Sequence, residues 1–220
     1  SLIDIIDTSM NQFDKKLNKY FWGFAKTYAY TRHDNKSFCH VDNDFYLWVL
    51  NEGFHKSEFG FQNPEVFDKE FYRYYYRLIE ILKAAPKPPQ TILDNMVDHG
   101  LNCGLVICHS RFDIVDEWYQ TAKHYIESNL NHLLNFDNTY REHLNLMSEQ
   151  FFISSILSRE KITPHFLFKG NDMKAATRPD NLFTHTWGHA KRDLKTIASV
   201  KRRVIETHSY IAEKIEKFYK

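Results

Sequence analysis

A layered α/β architecture is what this sequence predicts, and three observations carry the prediction. Short apolar runs of strand length, over 37–42, 101–108 and 164–168, alternate with longer segments whose apolar residues recur every three or four positions. Glycine and proline are scarce, 7 and 6 of 220 residues, which is roughly half their usual share and excludes disordered, collagen-like and linker-rich chains. Aromatic residues make up 16% of a chain long enough to bury one sizeable core, and no repeat, low-complexity stretch or Pro/Gly-rich linker divides it. The expectation is therefore one domain over 1–220, helix-rich, with a mixed sheet.

The elements follow in order. Phe13, Leu17, Phe21, Phe24 and Tyr28 fall on one face of a helix spanning 12–30. The polar cluster His33-Asp34-Asn35-Lys36 ends that pattern, and 37–42 reads as a buried strand. A second helix is expected over 64–84, with Phe67, Phe71, Tyr75 and Leu78 on one stripe, stopped by Pro86, Pro88 and Pro89. The run 101–108 is a strand with Gly104 inside it, at a place of bulging or close backbone approach. Helices near 112–134 and 139–158, a late strand over 164–168 and a long terminal helix from Lys191, with Leu194, Ile197, Val204, Ile211, Ile215 and Phe218 on its stripe, complete the chain.

Charge and cysteine usage narrow the functional classes. The formal charge is +1, which gives no case for broad binding to nucleic acid. Cys39, Cys103 and Cys108 form neither a disulfide framework nor a CxxC knuckle, so a reducing cytoplasmic setting is expected. No apolar run approaches the length of a membrane helix. Basic residues outnumber acidic ones beyond residue 190; this excess reads first as a solvated helix face, with a membrane surface or an acidic acceptor as alternatives. Trp22, Trp48, Trp118, Trp187 and Tyr72, Tyr74, Tyr75 and Tyr76 suggest sugar-stacking platforms, yet most are expected in the core.

The most informative residues are Asp42-Asn43-Asp44, placed where a strand ends. Two carboxylates one residue apart can turn toward a single hard cation, whose charge offsets their repulsion. Taken alone the triplet is a common turn former. Downstream come Asn102-Cys103-Gly104, Glu149-Gln150 on a helix, and His185-Thr186-Trp187-Gly188-His189-Ala190-Lys191. In that order these elements resemble the DxD, NxG, DQ and HxxGxxK motifs of GT-A glycosyltransferases of family 8, the glycogenin-like and galactosyltransferase-like retaining enzymes.

The resemblance implies a GT-A-like fold and transfer of a sugar from a nucleotide-diphosphate donor, such as a UDP-sugar, to a glycan, lipid-linked or protein acceptor. Asp42, Asp44 and His185 would hold Mn²⁺ or Mg²⁺ on the donor diphosphate; the added nitrogen ligand moves the choice toward Mn²⁺. Lys191 would steady the leaving diphosphate and Gly188 would let the backbone approach it. Lys26 would lie beside the donor, Asn102 and Gly104 would line its sugar pocket, and Glu149 or Gln150 would face the reacting sugar. Here Glu149-Gln150 stands where the family has DQ, and Arg192-Asp193 follows Lys191 where Pro-Trp is usual. The stretch before Asp42 is shorter than in that family, so part of the nucleotide-binding half is expected to be missing from these 220 residues.

The alternatives differ in class. A catalytically silent sugar-binding or interaction module would keep the fold without the reaction. A helical ribonuclease would use Arg203 and His208, spaced R-x4-H on the terminal helix. Structural readings also stand beside the functional ones: Lys26 as an amphipathic lysine packed on aromatics, Glu149 as helix support, and Asn102 with Gly104 as a bulge.

Overall fold

The computed structural model describes residues 21–48, 52–66, 69–168, 183–186, 192–208 and 210. Helix α1 spans Trp22–Tyr30, so the part of the expected 12–30 helix before residue 21 lies outside the described residues. A short 3-10 turn, Thr31–His33, leads through Asp34 and Asn35, both at positive φ, into strand β1, Phe38–Val41. Strand β2 is Phe45–Leu47, β3 is Phe59–Phe61 and β4 is Pro64–Val66. Helix α2 covers Lys69–Ala84 and the single turn α3 covers Gln90–Leu93. Strands β5, His99–Leu101, and β6, Leu105–Cys108, precede the long helix α4, Phe112–Leu133.

Helix α5, Asn138–Leu146, runs through a π-helical turn, Met147–Phe151, directly into α6, Phe152–Arg159. Strands β7, His165–Phe166, and β8, Phe183–His185, and helix α7, Leu194–Thr207, end the described elements.

The main sheet has the order β1-β6-β3-β7 and is mixed: β6 runs antiparallel to both neighbours, whereas β3 and β7 are parallel. Two ribbons flank it, β2 with β8 and β4 with β5, both antiparallel. The architecture is thus mixed α/β. The core lies between this sheet and α1, α4 and the α5–α6 rod, where Phe21, Phe24, Trp118, Tyr125, Phe151 and Phe152 are buried with Val106 and Cys108 of β6. Helix α5 begins at Asp137, whose side chain accepts from the Tyr140 N–H and satisfies one of the helix's unpaired donors.

Several elements differ from the sequence expectation. Strand β1 is not buried: it is an edge strand with alternating exposure, because β6 covers only one side of it among the described residues. The helix expected over 64–84 begins only at Lys69. Pro64, Glu65 and Val66 pair instead with Leu101, Gly100 and His99. Proline suits the first turn of a helix and the first residue of an edge strand equally well, and the tertiary partner decided between them.

The single strand expected over 101–108 is two strands. Asn102-Cys103-Gly104 is the crossing where the chain leaves the β4–β5 ribbon and joins the main sheet. Of the stripe Phe67, Phe71, Tyr75 and Leu78, Leu78 is buried and the other side chains lie outside the described residues. Ile211, Ile215 and Phe218 also lie outside them. The aromatics divide: Trp118 is core, Trp48 is half-buried and Tyr76 is exposed, while the side chains of the remaining five of that set lie outside the described residues.

Candidate metal centre

Asp42-Asn43-Asp44 occupies the turn between β1 and β2, closed by the Phe45 N–H donating to the Asp42 carbonyl at 3.0 Å. The turn-forming and ligand-presenting readings of the triplet are therefore compatible: the turn is what presents both carboxylates. Its two ends are fixed by different ladders. The Asp42 N–H donates to the Gly104 carbonyl (2.9 Å), extending the β1–β6 pairing by one residue. The Thr186 N–H donates to the Asp44 carbonyl (2.9 Å), extending the β2–β8 ribbon in which Phe45 pairs with His185. That ribbon closes the long sequence interval between Asp44 and His185.

One ligand atom from each of Asp42, Asp44 and His185 lies within 4.8 Å of the others. His185 Nε2 sits 3.3 Å from Asp44 Oδ1. Its other nitrogen, Nδ1, is 2.7 Å from Gln62 Oε1, an acceptor. This bond places the imidazole proton on Nδ1 and turns the Nε2 lone pair toward Asp44. Two electron-rich atoms face each other there, an arrangement that a cation between them stabilises, and the Gln62 contact is the outer support a metal-bound histidine needs. Burial lowers the His185 pKa, with the Asp44 and Asp42 carboxylates offsetting only part of the effect, so the ring stays neutral and able to ligate at ordinary pH.

Gly104 makes room for this arrangement. A Cβ at Gly104 would meet Gln62 Oε1 and would stand 2.7 and 2.9 Å from His185 Cε1 and Nδ1. Its role in the described geometry is to back the histidine. Asn102 is likewise occupied structurally, donating to Glu65 Oε1 (2.6 Å) and accepting from the Gly104 N–H (2.9 Å), which braces the crossing between β5 and β6.

Lys26 comes to the same place from α1. Its ammonium pairs with Asp42 Oδ1 at 2.9 Å and Glu149 Oε1 at 2.5 Å and reaches the Cys103 carbonyl at 3.4 Å. Lys26 is therefore more than an amphipathic lysine, and Glu149 is more than helix support. Burial works against the Lys26 charge, yet Glu149, followed by Cys103 and Asp42, outweighs it and raises its pKa. Burial also opposes ionisation of Asp42, but His40 at 3.0 Å and Lys26 hold that carboxyl at about 2, below the ordinary 3.8. Glu149, 1% exposed, has its pKa raised by burial against the pull of Lys26.

The π turn explains why α1 can come so close. The Gly23 N–H, in the first turn of α1, donates to Asn145 Oδ1 at 2.6 Å. A Cβ at Gly23 would lie 2.9 Å from that oxygen and 3.1 Å from Glu149 Cβ and Oε2. The wider turn at 147–151 directs Glu149 toward α1, while the Ser148 carbonyl accepts from Trp118 Nε1 at 3.0 Å. The Lys26 ammonium pairs with Asp42 and Glu149, while Asp44 and His185 join Asp42 on the side of the candidate ion position. The donor set of two carboxylates and an imidazole fits Mn²⁺ or Mg²⁺.

Of the remaining residues singled out in the sequence, Gln150 follows Glu149 on the π turn and is half-buried. Gly188 and Lys191 lie outside the described residues. Arg203 stacks on the Trp48 ring, 4.5 Å from its centroid, and His208 is exposed just past the end of α7. Cys39, Cys103 and Cys108 are free thiols; burial raises the Cys103 pKa and pushes that of Cys108 up to about 12, which makes both buried thiols poor nucleophiles. Gln62 and Glu65, like His40 beside Asp42, escaped the sequence reading. Gln62 sits between β3 and β4 in a run without periodicity, and Glu65, whose pKa burial raises, is a carboxylate in a short strand that only its Asn102 partner explains.

Fold and site together define a mixed α/β protein with a three-ligand candidate metal centre at the junction of its sheets. The chain belongs to the family of unknown function DUF6734, whose model matches residues 4–218. No curated protein and no solved structure matches it.

Proposed function

We propose that this chain is a GT-A-like, metal-dependent glycosyltransferase that takes a sugar from a nucleotide-diphosphate donor, with retention of configuration as the motif resemblance implies. The observation that carries the reading is the meeting of Asp42, Asp44 and His185, far apart in sequence, with ligand atoms within 4.8 Å. These are the residues the DxD and HxxGxxK resemblance names as metal ligands.

A bound Mn²⁺ would supply positive charge for the diphosphate as the glycosyl bond breaks. The chain's own groups do the rest. Lys26, held between Asp42 and Glu149, keeps a second fixed positive charge beside the ion position, where it favours the more negative transition state over the ground state. Glu149 holds that ammonium in place, and Gln62 holds the His185 tautomer. Lys191 and Gly188 complete the diphosphate site by resemblance, and the acceptor is a glycan, lipid or protein.

The test is a thermal-shift titration with Mn²⁺ and UDP together with release of UDP from UDP-sugars. A stabilisation that needs both ligands and is lost in Asp44→Ala, with UDP release in the wild type, supports the reading. Ligand-dependent stabilisation without UDP release in any donor would favour a silent binding module. RNA cleavage lost in His208→Ala would favour the ribonuclease.

A further inference from the structure

We propose that the outward face of α7 docks the protein onto an anionic lipid surface. The inference stands on the helix itself and is independent of the sugar-transfer reading.

An amphipathic helix at a protein surface normally turns its apolar stripe inward. Helix α7 turns only part of its apolar residues, Val200 and Val204, toward the protein. Thr196, Ser199, Val200, Arg203 and Val204 form its half-buried side. Leu194, Ile197 and Ile205 point outward and are 79%, 44% and 42% exposed. At about 100° per residue these three, with Ala198, lie on one stripe, and Lys201 falls among them with Arg202 and Lys195 along one border. Single exposed apolar residues are ordinary. A continuous stripe interleaved with cations is the pattern of a helix lying in a membrane interface, where the apolar side chains enter the acyl boundary and Lys and Arg remain at the headgroups.

Charge identifies the surface. Arg192, Lys195, Lys201, Arg202 and Arg203 oppose only Asp193 and Glu206 over 192–208, whereas the whole chain carries +1. Asp193 is spent on the helix start, accepting from the Thr196 N–H and hydroxyl. Glu206 makes only a loose 3.9 Å pair with Arg202. A second copy of this face would present like charge, so self-association along α7 is disfavoured. Anionic phospholipid satisfies the apolar stripe and the cations together.

The helix is oriented by its inner side. The Arg203 guanidinium lies 4.5 Å from the Trp48 ring centroid, and Trp48 Nε1 donates to Thr184 Oγ1 at 3.0 Å, one residue before His185. Docking through α7 therefore fixes the candidate metal centre relative to the lipid plane.

The experiment is co-sedimentation of the 220-residue chain with vesicles of phosphatidylcholine alone and of equal parts phosphatidylcholine and phosphatidylglycerol. Binding to the anionic vesicles only, reversed by high salt, is expected. The triple change Lys195→Gln, Lys201→Gln, Arg202→Gln should weaken partitioning by about a hundredfold, at about fivefold per cation. The triple change Leu194→Ser, Ile197→Ser, Ile205→Ser should weaken it at least about tenfold with no change of charge. All six side chains are exposed, and unchanged circular dichroism and thermal midpoint show that each variant folds. Slowed amide hydrogen exchange in 194–207 of the wild type on adding anionic vesicles provides a readout that needs no variant. Absence of binding, equal binding to neutral vesicles, or anionic binding that both triple variants retain would overturn the proposal. So would a wild-type dimer in sedimentation that the serine variant dissociates.

Discussion

At the residue scale, the ion pair of Lys26 and Glu149 is the most consequential contact, because a nearly inaccessible carboxylate depends on one ammonium. Removing one partner of a buried pair costs about 3–5 kcal/mol, whereas removing both charges together costs much less. Lys26→Met should destabilise the fold by that amount in urea unfolding, and the double change Lys26→Met, Glu149→Gln should recover more than half of it. Additive losses would show that the two side chains do not act as a pair. Asp42 gives a second prediction with a defined sign. Its folded pKa of about 2 lies below the ordinary 3.8, so its contribution to stability is fully present above pH 3.8 and is lost as pH falls toward 2. Unfolding free energies of the metal-free protein across that window should fall more steeply for the wild type than for Asp42→Asn. The DxD pair, His185, Lys26 and Glu149 were legible in the sequence because motif spacing names residues irrespective of their partners. Gln62 and Glu65 were not, since a polar residue in a three-residue strand or beside it carries no periodicity, and its importance comes from a tertiary neighbour.

At the element scale, what the sequence revealed depended on how local the deciding interaction is. Helix α4 was readable almost to its ends because twenty-two residues of 3.6-fold periodicity outweigh any neighbour. Strand β4 was misread as helix because Pro64 fits both, and the choice was made by β5, thirty-five residues further on. The stripe read on helix α7 divides, with Val204 half-buried and Leu194 and Ile197 exposed, because the Arg203–Trp48 stack, a long-range contact, helps to set the inner face. The close packing of α1 on the π turn yields a third prediction. Gly23→Ala introduces a methyl 2.9 Å from Asn145 Oδ1 and 3.1 Å from Glu149. The clash should cost about 1–3 kcal/mol in urea unfolding, more than the small gain alanine brings to a helix. Gly23→Ala should also weaken Mn²⁺ binding in calorimetry, because Lys26 and Glu149 shift apart; unchanged metal affinity would show that this packing does not support the site.

At the scale of the whole molecule, the candidate metal centre joins parts that belong to different strand ladders. Asp42 ends the main sheet's edge strand, Asp44 and His185 belong to the β2–β8 ribbon, and Gln62 links the site to β3. An ion bound there stabilises the folded state by mass action, by about 2.7 kcal/mol at a hundredfold excess over its Kd. Mn²⁺ should raise the unfolding midpoint and a chelator should reverse the rise, with no effect in Asp44→Ala. Gln62→Met should keep the response but shift it to a Mn²⁺ concentration about 10–100-fold higher, as loss of an outer hydrogen bond to a ligating histidine does. Retention of wild-type affinity in Gln62→Met would show that the imidazole needs no such orientation. Among the described residues no helix is long and apolar enough to cross a membrane.

The π turn at Met147–Phe151 also constrains how this family can diverge. Such a turn arises when one residue is added to a regular helix, and each residue rotates everything beyond it by about 100°. Losing one codon in that stretch would restore a regular helix and swing Glu149 away from Lys26, or turn the buried run Phe152–Leu157 out of the core. Substitutions can accumulate along α5 and α6, but the number of residues between Asp137 and Arg159 should stay fixed, and an alignment of relatives should show gaps in the loops on either side and none within it.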